Sequence, residues 1–385
     1  MPEPSFSLRR VGVVGAGQLA RMMAEEADDV AVELTVLATS LQDCAASTAH
    51  RVVLGQPHDE VALRALSSCC DVVTFDHELV DLDLLAKLEA DGIVMRPSAT
   101  TLRYSVDKAV QREEFAAEGF PIPNYRVLRH ENQLGSILDW SQRYGAPPVL
   151  KAARGGYDGR GVLFPRDDDE ALRDARELLR SGNTVVIEER VELLSEVAQL
   201  VARSTKGHFE SYPLVTTIQS RGMCSEVRFP SGQVPELQTE ARELSRRIAE
   251  FIDLEGVMAV EYFVTPRGLL VNELALRPHN SGHWTIEGSV TSQFANHLRA
   301  VSGQDLGPTT SLFRAAVMVN VVGADQPGSL DAARQIEGVN VHDYGKSWHC
   351  GRKLGHVTAV GDDIDALHVR AWRSAQAYGT QTQEA

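Results

Sequence analysis

Glu261 and Glu273 sit in two apolar runs, 257–264 and 269–276, separated by Pro266-Arg267-Gly268. If those three residues form a hairpin loop, Gly268 takes the left-handed position such loops want. Thr265 then faces Leu269, and Glu261 stands directly opposite Glu273. Two carboxylates side by side in a ladder repel one another unless a cation sits between them. Their flanks, Val260, Tyr262, Val271 and Leu274, are mostly apolar, so solvent screening is poor. A divalent cation resolves the conflict, and hard oxygen ligands point to Mg²⁺. The alternative is one carboxyl with a raised pKa, or a pair splayed into water. Arg277-Pro278-His279-Asn280-Ser281-Gly282-His283 follows closely, and Arg277, His279, Asn280 and Ser281 make an anion-recognition cluster beside the proposed metal.

A second cluster lies upstream. Lys151 ends an apolar strand over 148–151 and is followed by Arg154-Gly155-Gly156-Tyr157-Asp158-Gly159-Arg160-Gly161. Glycines interleaved with arginines predict a mobile flap able to lay N–H groups on a polyphosphate. No G-K-[ST] ends the loop, so it is not a Walker motif, but a lysine just before it favours nucleotide binding over a flexible hairpin. Near the N-terminus, Gly15-Ala16-Gly17-Gln18-Leu19-Ala20 matches G-x-G-x-x-A between a strand and a helix. A dinucleotide site also wants an acid at the end of the second strand. Leu37-Ala38-Thr39-Ser40 lacks one, which disfavours NAD and leaves a phosphate-binding turn for another ligand.

The elements that position these residues follow from periodicity. Strands are expected at 10–14, 33–37, 51–54, 72–75 and 93–95, alternating with helices at 18–27, 60–67 and 82–91, which predicts a parallel sheet covered on both faces. Further helices are expected at 107–118, 133–144, 168–180 and 236–254, and strands at 184–189, 313–322 and 339–342. The run Asp167-Asp168-Asp169-Glu170 reads as a solvated helix start. After Tyr378 the polar chain is expected to fray. The 385 residues allow two or three domains. A net charge of −15 disfavours nucleic acid and acidic membranes. Five cysteines without a C-x-x-C pair suit a reducing cytoplasm, and no apolar run is long enough to span a bilayer.

Taken together, the chain resembles the N5-carboxyaminoimidazole ribonucleotide synthetase family of the ATP-grasp superfamily, from about Val11 to Val357. The resemblance is carried by Val271-Asn272-Glu273-Leu274-Ala275 with the run 277–283, by Thr291-Ser292-Gln293-Phe294 with His297-Leu298-Arg299-Ala300, by the loop 155–161, and by Gly351-Arg352-Lys353-Leu354-Gly355-His356. It implies an α/β and α+β architecture: an N-terminal Rossmann-like pre-ATP-grasp domain (1–105), an ATP-grasp domain (106–305) with a mobile subdomain near 125–190, and a small C-terminal domain (306–385). The implied reaction uses ATP and bicarbonate to carboxylate 5-aminoimidazole ribonucleotide through carboxyphosphate, in a homodimer of purine biosynthesis. Implied nucleotide contacts are Lys108, Lys151, Gly156, Tyr157, Asp158, Gly159, Arg160, Gly161 and Val162. The hinge Glu188, Glu189, Arg190 and Val191 would hold the adenine through backbone groups, and Glu196 the ribose, with Gln219 and Asn272 alongside. Glu261 and Glu273 would bind Mg²⁺. The ribonucleotide would meet Gln18, Glu78, Tyr157, Arg160, Arg277, His279, Asn280 and Ser281, and its phosphate Lys346, Arg352 and Lys353. Arg277 is the candidate for stabilising bicarbonate or the leaving phosphate, while Lys151, Tyr157 and Arg160 complete the catalytic set.

Several positions depart from the family pattern. Leu276 replaces a frequent proline, Thr217 and Gln219 an asparagine and a histidine, and Lys108 an arginine. His349-Cys350 replaces an arginine–proline pair, and Asp76 the first acid of a glutamate-x-glutamate. The rival readings are another ATP-grasp ligase such as formate-dependent glycinamide ribonucleotide transformylase, an NAD-dependent oxidoreductase, and a non-catalytic nucleotide-binding module. The retained Glu261, Glu273 and Lys151 argue against the last.

Overall fold

The computed structural model describes residues 9–155, 161–220 and 222–380. Three sheets organise it. The first holds β1 (Arg9–Val14), β2 (Val32–Ala38), β3 (Arg51–Leu54) and β4 (Val72–Phe75), all parallel in the order β3-β2-β1-β4. The helices α1 (Gln18–Glu26), α2 (Glu60–Ser68) and α3 (Leu82–Ala90) follow β1, β3 and β4. The central strands are apolar almost throughout because helices and neighbouring elements cover both faces. The strand expected at 93–95 shrinks to one bridge between Met95 and Val73. Pro97 lacks the N–H that continued pairing needs. A helix not foreseen, α4 (Ala99–Val106), starts on a Ser98 cap and runs into α5 (Lys108–Ala117), capped by Asp107.

The second sheet is antiparallel: β5 (Tyr125–Leu128), β6 (Val149–Ala152), β7 (Val162–Leu163) and β8 (Val185–Glu188), ordered β5-β8-β6-β7. The helices α6 (Gly135–Tyr144) and α7 (Asp168–Arg180) bury Ile137, Trp140, Ala171 and Ala175 against Leu128, Leu150 and Ile187. The acidic run is the helix start that its composition suggested. Asp167 accepts a hydrogen bond from the Glu170 amide, with Asp168 and Asp169 in the first turn.

The third sheet is the largest, with nine strands. They are β9 (Ser195–Arg203), β10 (Phe209–Ser211), β11 (Val215–Ser220), β12 (Met223–Phe229), β13 (Gly256–Thr265), β14 (Gly268–Ala275), β15 (Ala315–Val322), β16 (Asn340–Asp343) and β17 (Lys353–Gly361). They run in the order β14-β13-β9-β11-β12-β15-β17-β16, with β10 beside β9. The long helix α8 (Pro235–Phe251) packs Leu244 and Ile248 into the same core as Val260, Tyr262 and, across from the first sheet, Leu63 and Leu66. Short α9 (Thr285–Gly288) and α10 (Gln293–Val301) follow β14, and α11 (Leu330–Arg334) and α12 (Ile364–Tyr378) cover the C-terminal strands. The tail expected to fray after Tyr378 is tied down at first. Thr380 bridges Gly323, and its hydroxyl accepts from the Val322 amide. All five cysteines are free thiols, and no helix of the described residues is long and apolar enough to cross a membrane.

Candidate functional site

The β13–β14 hairpin places Glu261 opposite Glu273, by a route the sequence reading did not foresee. The turn has two residues, not three: Thr265 pairs with Gly268, whose φ is +101°. That shorter turn shifts the register by one, so Tyr262 faces Val271 and Glu261 alone would face Asn272. A bulge then restores the alignment, because the pairing skips Asn272 and sets Glu261 against Glu273. Burial and the Glu273 carboxylate next to it push Glu261 up to about 8. His279 Nε2 lies 3.5 Å from Glu261, and Lys108 Nζ 4.0 Å from Glu273. Among the described residues no cluster of three or more His, Cys, Asp and Glu is arranged to hold a metal alone. Two oxygen-bearing side chains forced together, one of them reluctant to ionise, form a donor set suited to Mg²⁺ that also takes ligand phosphate oxygens.

Behind the pair lies a buried ionic ring. Lys151 Nζ sits 2.8 Å from Glu188 Oε2 and donates to Asn272 Oδ1 at 3.2 Å. Arg112 Nε donates to the other Glu188 oxygen at 2.7 Å. Burial alone would raise the Glu188 pKa, but Arg112 and Lys151 outweigh it and hold the carboxyl down at about 2. Burial lowers Lys151, and Glu188 works against that. The Glu188 side chain therefore points into this ring, a task apart from the backbone role expected of it. The Glu189 amide donates to Asn124 O at 3.0 Å and is committed within the fold. Arg190 reaches back to the carbonyls of Pro147 and Pro165.

Glu261, Glu273, Asn272, Lys151 and Glu188 line one cleft of about 1410 Å³, with Arg112 buried behind them. One end gathers Lys108, Lys151, Val162, Glu188, Glu189, Arg190, Val191, Glu196, Gln219, Asn272 and Glu273. Burial raises the pKa of Glu196, and the Gln219 amide, hydrogen-bonded to it, pulls the other way. So Gln219 is a partner of the ribose-binding candidate. An apolar slot of Val149, Phe164, Leu193, Phe263 and Leu274 stands beside them, missed in the sequence because the residues come from four separate segments. Gly161 sits just behind, its carbonyl accepting from the Ala152 amide. Gly156, Tyr157, Asp158, Gly159 and Arg160 lie outside the described residues.

The other end gathers Gln18, Glu78, Arg277, His279, Asn280, Lys346, Arg352 and Lys353. Arg277 pairs with Glu78 at 2.8 Å, and Lys346 donates to Gln18 at 2.8 Å. Burial, with Arg277 and Lys353 nearby, lowers the His279 pKa to about 3, so its ring is neutral. Asn280 accepts from Asn320 at 2.9 Å. Ser281 does not reach the cleft: it is buried behind His279, and its hydroxyl meets His279 Nδ1 at 2.9 Å. It orients the histidine and does not line the site.

At the N-terminal glycine loop, the group met at the start of α1 is the protein's own Asp76, whose Oδ2 accepts from the Gly17 amide at 2.6 Å. A Cβ on Gly15 would lie 1.9 Å from Asp76 Oδ1, so the glycine makes room for that side chain. Arg112 was missed altogether. Its one signal is a charged residue on the buried stripe of α5, in line with Lys108 and Phe115.

Three family models match the chain: the ribonucleotide synthetase preATP-grasp domain over residues 8–105, the ATP-grasp domain over 113–294, and the phosphoribosylaminoimidazole carboxylase C-terminal domain over 316–370. The chain is 44% identical over 376 residues to N5-carboxyaminoimidazole ribonucleotide synthase of Mycobacterium tuberculosis, covering 95% of this chain and 87% of that one. It is 36% identical to the Synechocystis enzyme of the same name, covering 95% of each. Among solved structures, the Thermus thermophilus synthetase superposes with a TM-score of 0.87 at 32% identity, covering 97% of this chain and all of that one. The Aspergillus clavatus synthase, solved with ADP and 5-aminoimidazole ribonucleotide, superposes at 0.86 with 29% identity, covering 96% and 98%.

Proposed function

Because this chain belongs to the N5-carboxyaminoimidazole ribonucleotide synthase family, whose members are ATP-grasp ligases, we propose that it carboxylates 5-aminoimidazole ribonucleotide with ATP and bicarbonate. The observation that carries the reading is a single cleft with a facing carboxylate pair and Lys151 at one end and a cationic group, Arg277, Lys346, Arg352 and Lys353, at the other. Such a cleft suits two phosphate-bearing ligands held end to end.

In this reading adenine enters the apolar slot between Phe164, Leu193 and Phe263, along the Glu188–Val191 segment, with Glu196 and its partner Gln219 at the ribose. Lys108, Lys151, Val162 and the glycine loop 155–161 take the phosphates. Glu261 and Glu273, with Asn272 alongside, are the residues that would hold Mg²⁺. When bound, that ion offsets charge on the transferring phosphoryl group. Lys151, fixed by Glu188 and Asn272, is a preset cation for the same group. A bicarbonate oxygen attacks the γ-phosphorus, the bond to the β-phosphate oxygen breaks, and carboxyphosphate and ADP result. The ribonucleotide amine then attacks the carboxyl carbon, phosphate leaves, and the amine proton departs with it. Gln18, Glu78, His279, Asn280 and, from the loop, Tyr157 and Arg160 orient the ribonucleotide; Lys346, Arg352 and Lys353 grip its phosphate. Arg277, beside Glu78, faces the junction where bicarbonate must lie. A neutral His279 can accept or donate a hydrogen bond without adding charge beside Glu261.

The same reading divides the chain near residues 105 and 305 and takes the enzyme to be a cytoplasmic homodimer. Its test is ADP release measured with bicarbonate, in the presence and absence of 5-aminoimidazole ribonucleotide. Bicarbonate dependence is expected, and ADP release indifferent to both substrates would refute it. Glu273→Ala is expected to abolish ATP turnover, and near-wild-type ADP release in that variant would remove the metal assignment.

A further inference from the structure

Arg112 is fully buried on α5, where the neighbouring stripe positions Ala109 and Phe115 are apolar. An apolar residue of similar volume would serve stability there as well or better, since burying a charge is costly even when it is paired. The reason for a guanidinium lies in where its donors end. Nε reaches Glu188 Oε1 on β8 at 2.7 Å, Nη1 reaches Gln111 Oε1 at 2.5 Å, and Nη2 reaches the main-chain oxygen of Asn272 on β14 at 2.6 Å. Asn272 is the residue that the hairpin ladder skips. A skipped residue loses its place in the ladder, and a buried carbonyl there must find another donor. Its side-chain oxygen accepts from Lys151, which is itself paired with Glu188. One planar fork thus closes a ring through the second sheet, the bulge and the lysine.

We propose that Arg112 is a positioning residue for the metal–nucleotide site: it pins the Asn272 bulge that sets Glu261 against Glu273, and through Glu188 it fixes Lys151. The proposal rests on the reading of Glu261 and Glu273 as the Mg²⁺ pair. It makes a specific demand on geometry. Arginine serves three acceptors in different directions, and lysine, a point charge on a flexible stem, does not reproduce that fork. Arg112→Lys keeps a counter-charge for Glu188 and leaves the Asn272 carbonyl without its partner.

The test is calorimetric titration of ADP into the full chain over a series of Mg²⁺ concentrations and in EDTA, for the wild type, Arg112→Lys, Arg112→Met and Glu273→Gln. In Arg112→Lys the metal-free affinity for ADP should be little changed, because Glu188 and Lys151 stay paired. The Mg²⁺ concentration needed for half of the metal-dependent gain should rise about tenfold or more. Glu273→Gln should lose that gain. Arg112→Met, where it folds, should also bind metal-free ADP more weakly; where it does not fold, the lysine variant carries the test. A folded Arg112→Lys protein with wild-type Mg²⁺ dependence, beside a Glu273→Gln protein that has lost it, overturns the positioning role alone. A lower melting temperature with unchanged Mg²⁺ dependence does the same, by leaving Arg112 a purely structural part. Wild-type Mg²⁺ dependence in Glu273→Gln overturns the metal reading and this proposal with it.

Discussion

His297 sits on α10 with no exposure to solvent, and its two ring nitrogens are both committed. The Val257 amide donates to Nδ1 at 3.2 Å, so that nitrogen carries no proton and Nε2–H faces Thr74 Oγ1 at 2.8 Å. Burial lowers its pKa to about 3. His279 stands at about 3 through burial and nearby cations, and His283 and His356 are lowered well below their ordinary value, first by burial and then by neighbouring histidines. Below pH 6.5 the unfolded chain takes up protons on these rings and the native protein does not. Their contribution to stability is therefore complete above that pH and is lost as pH falls toward 3. Between pH 7 and pH 5 His297 gives up about 2 kcal/mol, and the other three rings act in the same direction. That is a sizeable part of the stability of an ordinary domain, roughly 5–15 kcal/mol. Glu261, held up at about 8, works the other way over the same range, because the native carboxyl takes up its proton while the unfolded one stays ionised. Urea unfolding followed by tryptophan fluorescence across this range measures the slope. His297→Gln keeps an acceptor for Val257 and a donor for Thr74 while removing the titration. It should be less stable at pH 7, yet lose about 2 kcal/mol less than the wild type on going to pH 5. Parallel pH slopes for the two proteins would refute the reasoning.

Three further outcomes are expected. Gly15→Ala drives a Cβ into Asp76 at a φ of +106°, which should cost on the order of 2–4 kcal/mol and lower the melting temperature; an unchanged melting temperature would mean that Asp76 moves aside freely. Trp372→Phe removes the indole N–H that reaches buried Glu226 Oε2 at 2.7 Å, a loss of about 1–3 kcal/mol by denaturant titration; no loss would show the carboxylate satisfied by Arg228 and His368 alone. Arg352→Ala, at the cationic end of the cleft, should mainly raise KM for the ribonucleotide in a steady-state assay, and an unchanged KM would remove its phosphate-gripping role.

The parts of the fold that rest on short-range pattern were readable from the chain. The parallel sheet followed from apolar runs alternating with amphipathic helices, and 168–180 was bounded correctly because Asp167 and the acidic first turn mark a helix start. β9 to β12 were not foreseen: β10 to β12 are part-buried strands that alternate too weakly to stand out, and in β9 the polar Gln199 interrupts the apolar run. At the site, the facing of Glu261 and Glu273 was anticipated through a wrong loop length that an unseen bulge offset. Spacing along the chain fixes neither, because both depend on the hairpin's contacts with Arg112 and β9. Ser281 was misplaced for a related reason: a run of polar residues shows which groups are near the site, but not which of them face it. The contact of the glycine loop at 15–17 with Asp76 was also out of reach, because Asp76 arrives from the end of a strand some sixty residues on.

The nine-stranded sheet has a consequence for anyone wishing to take the protein apart. Hydrogen bonds run without a break from Glu273 on β14 to Lys353 on β17, through β12 and β15. The gap between the two ends of the cleft is thus set like graduations on a ruler, by strand spacing. A chain cut after residue 305 would strip β15 from β12 and bare an edge whose Val227 is almost wholly buried, and such an edge recruits other chains. Fragments made at that seam should precipitate unless the two pieces are produced together.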